Sequence, residues 1–430
     1  MRHYVKRLFS SAIMKSVTLA LAFLLQLVLA RLMGAEWYGE ITYVLVWFSF
    51  LCVIAVAGTD SASVRFVAQY DSCKQSPNIQ KFLAWAELHM NRSTKIVLPA
   101  GVVLGLILYL FNENISLLAF LIILIGIYFQ SRNAFYSSVV QGYGRAALSQ
   151  LPQGALLPVV LMIGLSVLWF LDIEVRSEYV AIIYVLSLFV VFLWVRRLVK
   201  KLSERRQEDD RCEEDSTVWK EVANHLFYMS LIGILLSRFD ILLLGWFVQA
   251  EEVGIYNVSA RLAELASLGL VVSNLVVAPM IARHYHNREK RELQSLLTFS
   301  GRIVAVATFA ILILLYSVGE YVLGWYGEPF RDGYNVLMIL AVGQFLNALF
   351  GPVGYILLMT GHSNVALRIY LIAVSIMGLL LILLIPIYGM IGAAVSSAIG
   401  VVIWNVMMCF YVVRRMGLDP TVVGLFKRVA

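Results

Sequence analysis

The sequence predicts an all-α polytopic membrane protein with twelve transmembrane helices arranged as two six-helix lobes. Composition is the first observation: 60% of the 430 residues are hydrophobic and 14% are charged, whereas soluble domains are near half apolar and a quarter charged. Runs of about 20 apolar residues, the length that crosses a bilayer as a helix, recur along the whole chain. The two halves of the chain also resemble each other.

The apolar runs are centred near residues 20, 50, 103, 125, 160, 187, 236, 269, 308, 346, 375 and 401. They must form helices, because lipid cannot satisfy free backbone polar groups. Runs of this length and continuity exclude a strand barrel. The connections are short, and no phosphate-cradling GxxxxGK[ST] loop occurs, so we expect a transporter and not an enzyme. The "HYH" at 284–286 is interpreted as a solvated basic connection, and no metal site or catalytic residue is expected.

The basic residues predict the orientation of the chain. If the N-terminus is cytoplasmic, the inner segments hold 28 of the 34 lysines and arginines, and the outer connections hold only Arg31, Arg176 and Arg331. Lysine and arginine favour the cytoplasmic side of a membrane. The sequence therefore predicts that both termini are cytoplasmic. The net charge of +7 is a consequence of this topology and does not indicate a nucleic-acid partner.

A charged stretch divides the chain. We expect a cytoplasmic linker at 198–221 between an N-lobe, residues 1–197 with six spans, and a C-lobe, residues 222–430 with six more. "GAEWYGEITYV" at 34–44 matches "QAEEVGIYNVS" at 249–259. A second pair of similar segments begins at glycines.

These second segments start at Gly144 and Gly361, so that the two offsets are nearly equal, 215 and 217 residues. A constant offset predicts an internal repeat; chance similarity between apolar segments is the alternative. An even number of spans in each half would give the two lobes the same orientation, related by a pseudo-two-fold axis along the membrane normal. Transporters with such repeats rock two lobes about a central site.

Charged residues inside the spans indicate where that site lies. Arg238 and Asp240, in "RFDILLLGW", fall near the middle of the seventh span, where an ionisable side chain normally faces protein or a water-filled cavity. The next span carries a polar stripe at helical spacing that includes Asn257, Arg261 and Glu264. We expect these residues to line a central cavity, with a network that locks the two helices together as the alternative.

Two basic residues of the first half are further candidates for the cavity. Lys15 lies about one turn inside the first span, and a lysine there could instead snorkel to the inner surface. Arg65 follows Asp60 near the inner end of the second span, where the pair would gate the site or cap the helix. Prolines inside spans predict breaks or kinks at four positions: Pro158, Pro279, Pro352 and Pro386.

Three stretches give the chain a resemblance to a known family. "LARLMGAEWYGEITYV", "RFDILLLGWFVQAEEVGIYNVSARLAEL" and "IPIYGMIGAAVSSAIG" resemble the polysaccharide-transport flippases of the multidrug/oligosaccharidyl-lipid/polysaccharide exporter superfamily. The resemblance covers nearly the whole chain. The aspartate of the family's "D-I-L-L-L-G" falls on Asp240 and the arginine of its "Y-x-x-x-x-R-L" on Arg261, whereas Asp60 stands where relatives usually have an apolar residue or glycine.

The resemblance implies a V-shaped fold that moves an undecaprenyl-diphosphate-linked oligosaccharide, such as an O-antigen repeat unit, across the bacterial inner membrane. It also implies a polysaccharide polymerase and a chain-length regulator as partners. Arginine suits phosphate because its planar fork donates two hydrogen bonds and stays charged. We therefore expect Arg238 and Arg261 to contact the diphosphate. Asp240 and Glu264 would orient them or carry a coupling H+ or Na+; no other cofactor is expected.

Two other functions remain open from the sequence. A cation-coupled multidrug exporter of the same superfamily would need an acidic and aromatic cavity, whereas cationic and acidic groups are about balanced here. A non-transporting scaffold for polysaccharide enzymes would not require charges at mid-depth in the membrane.

Overall fold

The computed structural model describes residues 2–73, 76–111, 115–203 and 216–422. The side chains of residues 2–13, 15, 16, 76 and 275 lie outside this description. The described chain is helical throughout and contains no strand. The first seven helices are α1 (Arg2–Val56), α2 (Thr59–Ser72), α3 (Ser76–Phe111), α4 (Leu117–Gly142), α5 (Ala146–Leu151), α6 (Leu157–Phe170) and α7 (Ser177–Ser203). The other seven are α8 (Ser216–Phe247), α9 (Ala250–Glu264), α10 (Leu268–His286), α11 (Lys290–Gly324), α12 (Tyr334–Leu349), α13 (Val353–Met359) and α14 (Ser363–Tyr411).

The two longest helices, α1 and α14, each contain one break. A straight helix of 55 residues, the length of α1, would extend about 80 Å at 1.5 Å per residue, more than twice the thickness of a bilayer core. Gly34 interrupts α1 with φ 72° and ψ 176°, and Gly389 interrupts α14 with φ 54° and ψ −134°. Only glycine adopts such conformations at no steric cost. The break in α14 follows Pro386 by three residues, as the sequence predicted for that part of the chain.

Within the described residues, nine helical ranges are long and apolar enough to cross a membrane. A tenth candidate is a bent pair, Glu328–Leu349 with Val353–Met359, whose axes differ by 47°. The bend lies at Gly351 and Pro352, so the kink predicted at Pro352 is confirmed. Pro279 lies inside α10, which continues to His286. The all-helical, multi-span membrane class is confirmed.

The chain divides into two compact units: the first ends at Ile234 and the second begins at Leu235. The division falls inside α8. Of the linker predicted at 198–221, residues 204–215 lie outside the described part, so the linker stays a prediction. The first turns of α8 belong to the first unit. There the Trp219 indole donates a hydrogen bond of 2.8 Å to the Tyr70 hydroxyl, and its ring packs edge-on against Phe82.

A buried acid joins three helices of the first unit. The Glu40 carboxylate of α1 accepts a hydrogen bond of 2.6 Å from the backbone N–H of Ser116, just before α4. It also accepts one of 2.9 Å from the Ser177 hydroxyl at the start of α7. A buried carboxylate is tolerated because such donors replace water. Glu40 therefore ties the second half of α1 to the first turns of two neighbours.

The second unit has an apolar core built from α10, α11, α13, α14 and the chain that follows α14. The last described residues are fixed to α11 by a reciprocal pair of hydrogen bonds. The Gln294 amide donates to the Asp419 carbonyl at 2.7 Å and accepts from the Asp419 backbone N–H at 2.8 Å. Leu418 is thereby held in the core at 2% exposure.

Candidate functional site

Asp240 connects three helices of the second unit. Its Oδ2 accepts a hydrogen bond of 2.6 Å from the Tyr256 hydroxyl of α9 and one of 3.1 Å from the Ser397 hydroxyl of α14. Tyr256 is fully buried, and hydrogen bonds to an ionised acceptor are about twice as strong as neutral ones. The carboxylate of α8 is therefore anchored by hydroxyl groups, while Asp240 itself keeps part of its surface exposed.

Arg238 lies two residues earlier on α8 and is also partly buried. Arg238 and Asp240 therefore flank Phe239 on the same helix. The ring between them, Phe239, packs on α14, where a Cβ at Gly378 would lie 2.7 Å from its edge. Phe239 thus fixes the rotation of α8, and with it the directions in which Arg238 and Asp240 leave the helix.

Arg261 and Glu264 form a contact of their own at the end of α9. Arg261 Nη1 donates to Glu264 Oε2 at 3.0 Å, and the two side chains are 36% and 47% exposed. The Arg261 Nε is buried and has no hydrogen-bond partner among the described residues. This guanidinium therefore retains donor capacity that Glu264 does not use.

The polar stripe expected in the eighth span is interrupted. The α-helix ends at Glu264, one turn of 3-10 helix covers Leu265–Ser267, and α10 then begins. A 3-10 turn has 3.0 residues per turn instead of 3.6, so it shifts the helical phase of every residue beyond it. On both sides of the turn a polar residue is buried: Asn257 of α9 at 5% and Asn274 of α10 at 8%.

In the first unit, the structure describes one of the two predicted basic site residues fully. Arg65 is exposed on α2, with its guanidinium carbon 5.6 Å from the centre of the Phe66 ring. Lys15 lies in α1, and its side chain is outside the described part. Asp60 lines a cavity of about 250 Å³ together with Gln130 and Tyr184, and its Oδ1 is buried without a hydrogen-bond partner in the described chain.

Arg132 is one of the 28 basic residues counted above with the inner segments, and it lies inside α4 at 4% exposure. Its guanidinium carbon lies 3.6 Å from the centre of the Tyr128 ring, and it donates to the Tyr128 carbonyl and to Asn91 of α3. Tyr128 precedes Arg132 by one helical turn, a spacing that the sequence displays.

The groups of the second unit suit two kinds of ligand. Guanidinium groups recognise phosphate oxygens through paired, charge-assisted hydrogen bonds, and Arg238 and Arg261 supply two of them. Asp240 with the hydroxyls of Tyr256 and Ser397 supplies three oxygen atoms, the ligand type that hard cations prefer. The unit thus carries side chains of the type that suits a phosphate and side chains of the type that suits a cation.

Comparison with known proteins identifies the family of the chain. The family model described as "Polysaccharide biosynthesis protein" matches residues 4–285, more than half of the chain. The chain belongs to this family. Over 139 residues the chain is 30% identical to "Teichuronic acid biosynthesis protein TuaB" of Bacillus subtilis. This match covers 32% of the chain and 28% of that protein.

A second relative is the "Probable low-salt glycan biosynthesis flippase Agl15" of Haloferax volcanii. It is 25% identical over 186 residues, which are 42% of the chain and 39% of that protein. The chain therefore matches well under half of the length of either curated relative. Among solved structures, "Lipid II flippase MurJ, inward closed conformation" superposes with a TM-score of 0.78 at 14% identity, covering 97% of the chain and 89% of that structure. This likeness shows a shared fold.

Proposed function

We propose that the chain flips an undecaprenyl-diphosphate-linked oligosaccharide, such as an O-antigen repeat unit, across the bacterial inner membrane by alternating access. Membership of the polysaccharide biosynthesis family and a relative named as a glycan flippase support the substrate class. The observation that carries the proposal is a pair of partly buried arginines, Arg238 and Arg261, on helices of a membrane-spanning fold. Arg261 keeps a buried Nε without a partner among the described residues.

The chemistry of the substrate explains why such arginines are needed. A diphosphate carries negative charge and a sugar carries many hydroxyl groups, so neither crosses hydrocarbon unaided. An ionisable residue exposed to lipid inside a span costs several kcal/mol, so it normally faces protein or a water-filled route. We assign Arg238 and Arg261 to the diphosphate, and Asn257, Glu264, Arg65 and Lys15 to further polar contacts along the route.

Asp240 is assigned to a coupling ion, H+ or Na+. Its carboxylate is held by two neutral hydroxyls, which can rotate to donate to a carboxylate or to offer oxygen to a cation. Protonation or cation binding would therefore change the bonding between α8, α9 and α14 without leaving a buried group unsatisfied. This gives the ion gradient a means of acting on helix packing.

Twelve spans with both termini in the cytoplasm complete the proposal. The breaks at Gly34 and Gly389 would each divide a long helix into two spans. Added to the nine ranges and the bent pair, they give twelve. The proposed repeat is supported by Gly144 and Gly361, the matched glycines of the two halves, which have similar φ values of 74° and 81°. A polysaccharide polymerase and a chain-length regulator would act on the product outside.

Arginine substitutions test the proposal in a host from which this chain has been deleted. We expect Arg238→Ala and Arg261→Ala to insert at normal levels, to abolish surface polysaccharide and to cause lipid-linked repeat units to accumulate. Arg331→Ala is the matched control, because Arg331 also pairs with a glutamate three residues away, at 3.3 Å, but near the start of the bent pair.

Full complementation by both site variants would refute the phosphate assignment. Export of a cationic dye by the wild type, without any change in polysaccharide, would favour the multidrug exporter. Normal polysaccharide in all variants, with an effect only on complete deletion, would favour the scaffold.

A further inference from the structure

A cavity of about 850 Å³ lies in the second unit, away from the arginines of α8 and α9. It is bounded by the turn between α10 and α11, the end of α13 and the residues after α14. Four basic side chains line it: His284, His286, Arg288 and Lys290. Of the described residues that line the cavity, none carries a carboxylate. One side of the cavity is therefore positively charged.

The opposite side is apolar and rigid. Leu293, Met416 and Leu418 line it and are buried members of the core of the unit. The reciprocal hydrogen bonds between Gln294 and Asp419 hold the chain after α14 against α11. The apolar wall is thus part of the folded core, and a ligand would meet a formed surface.

The nearest acid is already occupied. Glu289 Oε2 lies 2.6 Å from His284 Nδ1, and Glu289 Oε1 accepts from the Asn287 amide at 3.2 Å. Among the described residues, neither Arg288 nor Lys290 forms an ion pair. Lys290 Nζ lies 3.0 Å from the position that a Cβ of Gly417 would take, which places the ammonium group at the edge of the apolar wall.

The depth of the cavity indicates the kind of ligand. Met416 is the last residue of one candidate span, and Lys290 begins the 35-residue helix that contains another. Residues 290–302 of that helix are rich in charged and polar side chains, and its long apolar run starts at Ile303. The cavity therefore lies at the polar ends of two membrane helices, beside the surface that lipid headgroups form. Basic pockets between membrane helices at this level bind anionic headgroups, and the apolar wall would contact the first carbons of the acyl chains.

We propose that this cavity binds the phosphate headgroup of an anionic membrane lipid, with Arg288 and Lys290 holding the phosphate oxygens. None of the residues that line this cavity is among those assigned to the transport route. Binding of a bulk anionic lipid here does not depend on the proposed function, whereas binding of the substrate lipid would rest on it. A phosphate on a lipid could come from a bulk lipid such as phosphatidylglycerol or from a polyprenyl diphosphate, so both belong in the test.

Native mass spectrometry of the purified full-length protein tests the proposal. Dioleoylphosphatidylglycerol and undecaprenyl diphosphate are titrated separately, with phosphatidylcholine as the neutral lipid. We expect the double variant Arg288→Ala/Lys290→Ala to bind the phosphate-bearing lipid roughly 25-fold more weakly, because each basic residue near a charged surface contributes about a factor of five. Arg283→Ala/Arg291→Ala removes the same charge from exposed neighbours outside the cavity and should bind as the wild type does.

The salt dependence of binding gives a second measurement on the same three proteins. Raising ionic strength should weaken lipid binding by the wild type and by the control, since screening reduces attraction between exposed charges. The double variant should show much less salt dependence. Tight binding of undecaprenyl diphosphate alone would identify the lipid as substrate, and tight binding of phosphatidylglycerol would identify it as a bulk lipid. Equal affinity in wild type and double variant, or an equal loss in the control, would overturn the proposal.

Discussion

Substitutions at Asp240 and at the two hydroxyls that bond to it can separate a role in stability from a role in ion coupling. Tyr256→Phe removes one hydrogen bond to the carboxylate and leaves its charge in place. Hydrogen bonds to charged groups contribute about 1.5–3 kcal/mol, and this one is 2.6 Å long at a fully buried tyrosine. We therefore expect the free energy of unfolding to fall by about 2 kcal/mol. Ser397→Ala, which removes the 3.1 Å bond, should cost about 1 kcal/mol.

Asp240→Asn makes the opposite change. The amide oxygen still accepts hydrogen bonds from both hydroxyls, but the amide nitrogen replaces the oxygen that accepts a 2.8 Å hydrogen bond from the Ile241 backbone N–H. The fold therefore loses that bond and the charge-assisted part of the other two, about 2 kcal/mol in all. The negative charge that would attract a cation or take a proton is gone. We expect this variant to fold and to lose gradient-driven transport. Tyr256→Phe keeps the charge but removes one of the three oxygen atoms, so we expect it to be less stable and to transport more slowly than the wild type, without the complete loss of Asp240→Asn.

Two measurements check this pair of expectations. Unfolding in mixed micelles, followed by circular dichroism as the denaturing detergent is raised, gives the stability change. Surface polysaccharide in the deletion host gives transport. Ser375→Ala and Tyr388→Phe are the controls, because Ser375 bonds only within its own helix turn, to Leu371, and Tyr388 is 60% exposed. Wild-type transport by Asp240→Asn would refute the ion assignment, and unchanged stability of Tyr256→Phe would refute the structural contact.

Two further predictions concern the fold. Gly58→Ala should lower the free energy of unfolding by about 2–4 kcal/mol, because φ is +74° and the new Cβ would lie 2.1 Å from the Ala223 carbonyl oxygen. Gly233→Ala is the control: Gly233 has open space around it, so this change should be neutral in the same unfolding assay. The His284 imidazole and the Asn287 amide lower the pKa of Glu289. The ionised Glu289 carboxylate therefore adds to the free energy of unfolding above the usual glutamate pKa of about 4.3. This contribution is lost as pH falls through the lower pKa of the folded state. Glu289→Gln should flatten melting temperature against pH in that acidic range, and an unchanged profile would contradict the contact.

The all-helical, multi-span membrane class could be predicted because hydropathy alone determines it. A helix in lipid needs a long apolar run whatever its neighbours are. The bend at Gly351 and Pro352 was also visible in the sequence, since proline and glycine act on their own backbone. The shift in helical phase at Leu265–Ser267 was not, because leucine, alanine and serine all continue an α-helix without strain.

The hydrogen-bond partners of Asp240 could not be predicted from the charges in the sequence. Depth and helical spacing suggested Arg261 and Glu264 as the neighbours of Asp240, since opposite charges are the obvious partners of a charge in lipid. The structure gives Asp240 two hydroxyls, and pairs Arg261 with Glu264 three residues along its own helix. Ser397 is 157 residues from Asp240, and its serine hydroxyl has nothing in the sequence to mark it.

The buried Arg132 leads to the same physical conclusion. Its partners are an aromatic ring, a backbone carbonyl and an amide, all neutral groups that hydropathy treats as ordinary. A neutral acceptor or donor meets the hydrogen-bonding need of a buried charge at a smaller cost of burial than a second charge. In a membrane protein, the partners of a mid-span charge should therefore be sought first among tyrosine, serine and asparagine. Tyr128 stands four residues before Arg132, so one such partner can be read from the sequence when the search is made in this way.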